Sequence, residues 1–219
     1  MYTWDFGIIF QNASVLLRGC IVTLQLTIVS LILATALGLL LSFGSLSRLR
    51  LVRWLAIGFV EFFRAAPALV VLIWIYYALP VIIGLNFSSF VSAVLALTLV
   101  QASYEAEIFR AGIEAIELGQ IEAARSVGMS RGQTMRRIVL PQAFRIMIPP
   151  FVSATASLLK YSSLASVVAV YELLNQGNNI IQQSFRPLEV YTSVAILYIA
   201  MILPITQASR MLERKLKIR

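Results

Sequence analysis

The chain contains no histidine, a single cysteine and little charge. The first absence excludes imidazole-centred acid–base chemistry and most zinc sites. The second excludes an internal disulfide framework, and the position of Cys20 inside a long apolar run makes it a packing residue. Only 13% of the 219 residues are charged, about half the share carried by soluble domains. What fills the space is apolar: hydrophobic residues make up 59% of the chain.

That apolar content is concentrated. No charge occurs in residues 19–47, 65–104 or 190–209, and each run reaches the ~20 residues that a helix needs to cross the hydrocarbon core. The run 65–104 exceeds one crossing, and Pro80, Gly84 and Asn86 offer a turn within it. The expected fold is therefore an all-α integral membrane protein with five transmembrane helices, near residues 20–43, 55–80, 91–112, 146–170 and 189–211. They form one transmembrane domain over residues 1–219. Lys160 interrupts the fourth span, but apolar residues flank it on both sides. The first run is too long for a signal-peptide core and no small-residue cleavage site is evident, so a retained span is expected. Residues 1–18 mix Trp4, Phe6, Ile8, Ile9 and Phe10 with Asp5 and Gln11. They read as an external interfacial segment, and an extension of the first span fits nearly as well.

Orientation follows from the basic residues. Arg48, Arg50 and Arg53 follow the first span; residues 113–145 and their edges hold Arg110, Arg125, Arg131, Arg136, Arg137 and Arg145; Arg210, Arg214, Lys215, Lys217 and Arg219 close the chain. With five spans all of these share one side, which is then cytoplasmic. Arg18 and Arg186 are left outside, Arg64 and Lys160 within spans. The N-terminus is expected outside and the C-terminus inside. This asymmetry accounts for the formal charge of +8 without any nucleic-acid partner.

The cytoplasmic segment 113–145 has helical logic of its own. Gly119 is expected to separate the third span from a short helix over residues 121–127. Gly128 suits the left-handed position at its end, and Ser130 with Gln133 forms a capping box for a second helix. Pro141 should end or kink that helix. Within the segment, E-A-A at Glu122–Ala124, then Gly128, then I-x-L-P at Ile138–Pro141 resembles the EAA signature of permease subunits in bacterial ABC importers.

Further stretches sharpen the resemblance. Phe63-Arg64-Ala65-Ala66-Pro67 resembles the F-R-G-T-P of polar amino acid permeases, and Tyr104-Glu105-Ala106-Glu107-Ile108-Phe109-Arg110 their Y-x-A-E-I-x-R. Gly119-Gln120 and Leu140-Pro141-Gln142-Ala143 match around the EAA segment. Lys160-Tyr161-Ser162-Ser163-Leu164 resembles K-D-T-S-L, and Leu212-Glu213-Arg214-Lys215-Leu216 resembles L-E-R-R-L. Together these cover residues from about 20 to 219 and are similar to the histidine/glutamine/arginine branch of type I ABC importers. Two departures stand out: Ala65-Ala66 in place of G-T, and Tyr161 in place of an aspartate in a region that can line the solute cavity.

The resemblance implies a permease subunit in the bacterial inner membrane that imports polar or charged amino acids, or analogues such as opines, by alternating access. It implies as partners two ABC ATPases carrying ATP-Mg, a second permease copy or a sister permease, and an extracytoplasmic solute-binding protein. In this picture Glu122, Ala123, Ala124 and Gly128 couple to the ATPase. The chain lacks G-x-x-x-x-G-K-[ST], so it is not itself the ATPase, and it is expected to be no enzyme and to hold no cofactor.

Ionisable residues inside spans are expensive and usually face a partner or a cavity. Glu61 and Arg64, and Glu107 and Arg110, stand three apart and are expected to form structural ion pairs. Gln101, Glu105, Lys160, Tyr161, Ser162 and Ser163 are the expected solute contacts near mid-membrane. Glu105 would restore the negative charge lost at Tyr161 and meet an ammonium or guanidinium; the alternative is a Glu105–Lys160 salt bridge. For the whole chain the rival is an ion-coupled carrier or channel, which leaves the EAA loop without a purpose. Ser–Lys chemistry within the Lys160–Ser163 stretch is the remaining, weaker rival.

Overall fold

A computed structural model describes residues 2–216 and the side chains through Leu212. The side chains of Arg214 and Lys215, and residues Lys217 and Arg219, lie outside what is described. The short helix α1 (Gly7–Gln11) leads into α2 (Ala13–Ser45). Residues 13–18, expected in an external segment, thus belong to the first long helix. Helix α2 has no separate apolar face, and apart from Leu16 and Leu26 the residues it buries are small. Gly19, Thr23, Thr27, Ser30, Ala34, Gly38 and Ser42 point inward, while Ile21, Ile28, Ile32, Leu40 and Phe43 are exposed. This is the pattern expected where lipid is the solvent: small residues let backbones approach, and bulky ones face the acyl chains. At Gly38 a Cβ would stand 3.0 Å from the Glu105 Cβ and 3.1 Å from the Ala102 carbonyl oxygen. Helix α6 (Ser89–Glu114) therefore lies directly against α2.

The expected single span over residues 55–80 is two helices. Helix α3 (Arg50–Ala65) and the run that begins with α4 (Ala68–Ile73) and ends with α5 (Leu79–Ile83) meet at a bend of 106°. Pro67 forces Ala66 out of the helical region, to ψ 133°, and α4 then packs against α6 through Val71 and Leu72. Four helices are long and apolar enough to cross a membrane, and the bent pair makes five if it counts as one span.

Neither Pro80 nor Pro141 ends a helix. Each follows a π-helical turn, Trp74–Ala78 and Met135–Val139 respectively, and each sits in a Leu-Pro step. The wider turn accommodates the ring and the missing donor, so neither proline ends its helix. Gly84, at φ 71°, ends α5 instead. Helix α7 (Leu118–Ser126) is short and separated from α6 by residues 115–117. The helical run Arg131–Val168 that follows is continuous. It comprises α8 (Arg131–Thr134), the π turn, α9 (Leu140–Tyr161) and a 3₁₀ segment, Ser162–Val168. Helix α10 (Leu173–Ser184), for which no element was expected, precedes the last helix α11 (Pro187–Leu216).

Candidate functional site

The α7–α8 hairpin, over residues 118–134, is defined by its ends. Helix α7 starts at Leu118, so Gly119 lies inside its first turn and the break from α6 falls at residues 115–117. It closes in a Schellman motif: Gly128 N–H donates to the Arg125 carbonyl at 3.0 Å and Met129 N–H to that of Ala124 at 3.1 Å. Gly128 takes φ 85°, as the motif requires. Helix α8 begins with the expected capping box. Gln133 N–H donates to Ser130 Oγ at 3.3 Å, and Ser130 N–H to Gln133 Oε1 at 2.9 Å. Ile116, Val139, Ala143, Phe109 and Met147 bury the inner side of the hairpin, and Gln142 Nε2 ties α9 to Gln120 Oε1 of α7 at 2.7 Å.

What α7 turns outward differs in part from expectation. Glu122 and Ala123 are exposed, whereas Ala124 is buried and packs within its own hairpin. Leu118 and Val127, 74% and 78% exposed, complete the outer surface. Sequence alone missed both, although large apolar residues at each end of so short and polar a helix are a visible anomaly.

The two expected ion pairs are one network. Arg64 approaches Glu61 at 4.0 Å on its own helix and Glu107 of α6 at 3.9 Å. Arg110 clasps Glu107 at 2.5 Å and Glu114 at 2.7 Å. Several of these side chains, with Arg53, line a cleft of about 510 Å³ between α3, α6 and the end of α2.

Of the six expected solute residues, Gln101 and Tyr161 face each other across a small cavity of about 120 Å³, completed by Tyr104, Ala154 and Ser157. Glu105 is fully buried and accepts a hydrogen bond from Gln101 Nε2 at 2.9 Å; its Oε2 has no partner among the described residues. Lys160 is exposed, and no Glu105–Lys160 pair forms among the described residues. Ser162 and Ser163 hydroxyls donate to the carbonyls of Leu159 and Lys160 on their own helix, at 2.7 and 2.8 Å. Of the six, Gln101 and Tyr161 line the cavity, while Glu105 is joined to it only through Gln101 and Lys160, Ser162 and Ser163 lie outside its wall.

Two further carboxylates went unnoticed in the sequence. Glu172 caps α10, accepting from Leu174 and Asn175 N–H at 3.0 and 2.8 Å and from the Tyr198 hydroxyl of α11 at 2.6 Å. Leu173 N–H meanwhile donates to Thr23 Oγ1 of α2 at 3.1 Å. An acidic residue just ahead of an amphipathic run is a helix-start signal and marks this one in retrospect. Glu189 accepts from the Tyr2 hydroxyl and, at 3.0 Å, from Asp5 N–H.

A bundle of membrane-crossing helices with small-residue seams, a broken second span and an outward-facing helical hairpin defines a multi-pass membrane permease. Residues 11–218 match the model of the family described as binding-protein-dependent transport system inner membrane component, and the chain belongs to that family. It is 36% identical over 214 residues to the probable amino-acid ABC transporter permease YckA of Bacillus subtilis, covering 98% of this chain and 94% of that one. It is 33% identical to the glutamine transport system permease GlnP of Escherichia coli, covering 98% and 99%. Among solved structures, a chain in the crystal structure of an amino acid ABC transporter with histidines superimposes with a TM-score of 0.93 at 32% identity, covering 98% of this chain and all of that one.

Proposed function

We propose that the chain is the permease subunit of an ATP-driven importer that carries polar or charged amino acids, or close analogues such as opines, by alternating access. The observation that carries this reading is the α7–α8 hairpin. It is closed by a Schellman motif and a capping box, and it offers Leu118, Glu122, Ala123 and Val127 outward. A rigid helix with apolar corners and a charged centre suits a groove on a partner ATPase. Two such ATPases would bind ATP-Mg, and this chain would hold no cofactor. Gly128 sets the exit of the coupling helix, and Ala124 seats it on its own hairpin.

When the ATPases close on nucleotide, the hairpin moves as a unit, and the Gln120–Gln142 contact passes that motion to α9. The basic side of the chain is cytoplasmic, with the N-terminus outside and the C-terminus inside. A second permease copy or a homologous sister completes the pore, and an extracytoplasmic binding protein delivers the solute. The amino acid class rests on relatives named for amino acids, glutamine and arginine. Gln101 and Tyr161 supply solute contacts, with Lys160, Ser162 and Ser163 at the outer margin of that site. Glu61, Arg64, Glu107 and Arg110 serve as structural ion pairs. The ion-coupled carrier or channel gains no support from any relative.

The test is uptake by the reconstituted complex, using a panel of labelled amino acids with and without ATP. ATP-dependent uptake that is lost on substitution of Glu122 or Gly128 is expected. Uptake indifferent to ATP and to those substitutions would replace this reading with the secondary carrier.

A further inference from the structure

Gln101 and Glu105 are one helical turn apart on α6, but they face different surroundings. The Glu105 Cβ lies against Gly38 of α2, and Thr35 of the same helix adjoins its carboxyl group. Glu105 therefore sits in the α2–α6 seam and contributes no wall to the cavity between α6 and α9. Gln101 does contribute one, beside Tyr104, Ser157 and Tyr161.

The chemistry of the contact fixes the orientation of Gln101. A carboxylate only accepts hydrogen bonds, whereas a carboxamide has a donating and an accepting end. Glu105 Oε1 engages Nε2 of Gln101, so the amide oxygen is the end left for the cavity, and no described side chain donates to it. Were Glu105 replaced by a group that both donates and accepts, the amide could turn over and present either end. The carboxyl group accepts from Gln101 at 2.9 Å with Thr35 of α2 beside it, so Gln101 is the link between this seam and the cavity.

We propose that Glu105 is a positioning residue: it holds the Gln101 carboxamide with its oxygen toward the cavity, so that the cavity selects solutes bearing an N–H donor, an ammonium or a side-chain amide. Glu105 thus acts on the solute through Gln101 and does not touch it. This rests on the permease reading above and adds to it the residue that sets solute selectivity.

The experiment compares KM and kcat for labelled glutamine, arginine and glutamate in the reconstituted complex. Glu105→Gln should raise KM for glutamine and arginine about tenfold, the worth of one hydrogen bond, with kcat moving far less. The exchanged pair, Gln101→Glu with Glu105→Gln, rebuilds the hydrogen bond but puts the carboxylate on the cavity wall. It should shift preference from glutamine toward arginine. If Glu105→Gln fails to assemble, the exchanged pair carries the test by its solute preference alone, since it keeps a hydrogen bond between positions 101 and 105 in the seam. Parent-like KM values and selectivity in these variants, with ATP-driven uptake preserved, would overturn this proposal alone. Absence of ATP-driven uptake by the unaltered complex would overturn the permease reading with it.

Discussion

Arg64 of α3 and Glu107 of α6 approach to 3.9 Å, and that contact joins two intrahelical pairs into a ladder running Glu61–Arg64–Glu107–Arg110–Glu114. Its position gives it meaning. Arg64 is the third residue before Pro67, where the chain turns by 106°. The ladder therefore fastens the α3 side of the bend to the most buried helix of the bundle.

All of these side chains are partly exposed, so the direct coupling between Arg64 and Glu107 should be small. A double-mutant cycle with Arg64→Ala and Glu107→Ala, read from thermal unfolding in detergent, should return about 0.5 kcal/mol. Glu107→Ala alone should cost more than Arg64→Ala, because the second partner of Glu107, Arg110, is at 2.5 Å whereas that of Arg64, Glu61, is at 4.0 Å. A larger loss from Arg64→Ala would contradict the order of contacts in the ladder.

Gly128 offers a cleaner experiment. A Cβ there would meet nothing within 4 Å, yet φ is +85°, so any penalty for substitution is one of backbone conformation. Gly128→Val should cost about 1–2 kcal/mol of hairpin stability, whereas Gly128→Asn should cost less because asparagine visits the left-handed region. ATP-driven uptake should fall in the same order, valine below asparagine below glycine. Equal uptake by all three would separate the exit of α7 from coupling.

What the sequence made legible, and what it did not, divides along a physical line. Long apolar runs could only be helices, since in lipid every backbone group must be satisfied within its own segment. The Gly128 turn and the Ser130–Gln133 box were legible because cap chemistry is local. The bend at Pro67 was not, because a proline marks a break without giving its angle, and that depends on how α4 packs on α6. The π turns before Pro80 and Pro141 were hidden for a similar reason: an insertion in the helical ladder leaves no residue-type signature. Contacts such as Tyr2–Glu189 and Leu173–Thr23, 187 and 150 residues apart, carry no local pattern at all. The candidate solute site was therefore read in part. Gln101, Glu105 and Tyr161 were found as polar residues in apolar spans, but their division between seam and cavity needed the packing of α2 on α6.

The N-terminal tether makes a pH prediction. Tyr2 donates to Glu189, Arg186 reaches the Thr3 carbonyl at 2.6 Å, and the Arg186 guanidinium stacks over the Tyr2 ring at 5.7 Å. The hydrogen bond to Glu189, followed by burial, raises the Tyr2 phenol above its ordinary 10.0, with Arg186 opposing. A raised value means that the folded chain holds this proton more tightly than the unfolded one. The tether's contribution is thus complete below 10.0 and is lost as pH rises through the folded value. The difference in phenolate absorbance between the parent and Tyr2→Phe should show a midpoint above 10.0, and Trp4 emission should shift with it. A midpoint at or below 10.0 would show that Tyr2 is not held by Glu189.

Glu172 supports the last prediction, because it joins α10 to α11 next to a bond that ties α10 to α2. Its carboxylate caps α10, takes the Tyr198 hydroxyl of α11, and lies beside the Leu173 N–H bond to Thr23 of α2. Burial pushes the Glu172 carboxyl above its ordinary 4.5, while Tyr198 and the backbone N–H groups pull it back. Tyr198→Phe removes one of those restraining donors, so the carboxyl should rise further. The folded chain then prefers the protonated acid more strongly than the unfolded chain does. Its contribution is complete below 4.5 and fades as pH rises through the folded value, over a wider window in the variant than in the parent. Tyr198→Phe should therefore destabilise the protein by about 1.5–3 kcal/mol near neutrality, the range for a hydrogen bond to a charged group, and by less below 4.5. Thermal unfolding of both chains in detergent at the two pH values decides the matter. An equal loss at both would mean that Tyr198 contributes packing alone, and that Glu172 holds α10 through the backbone without help from α11.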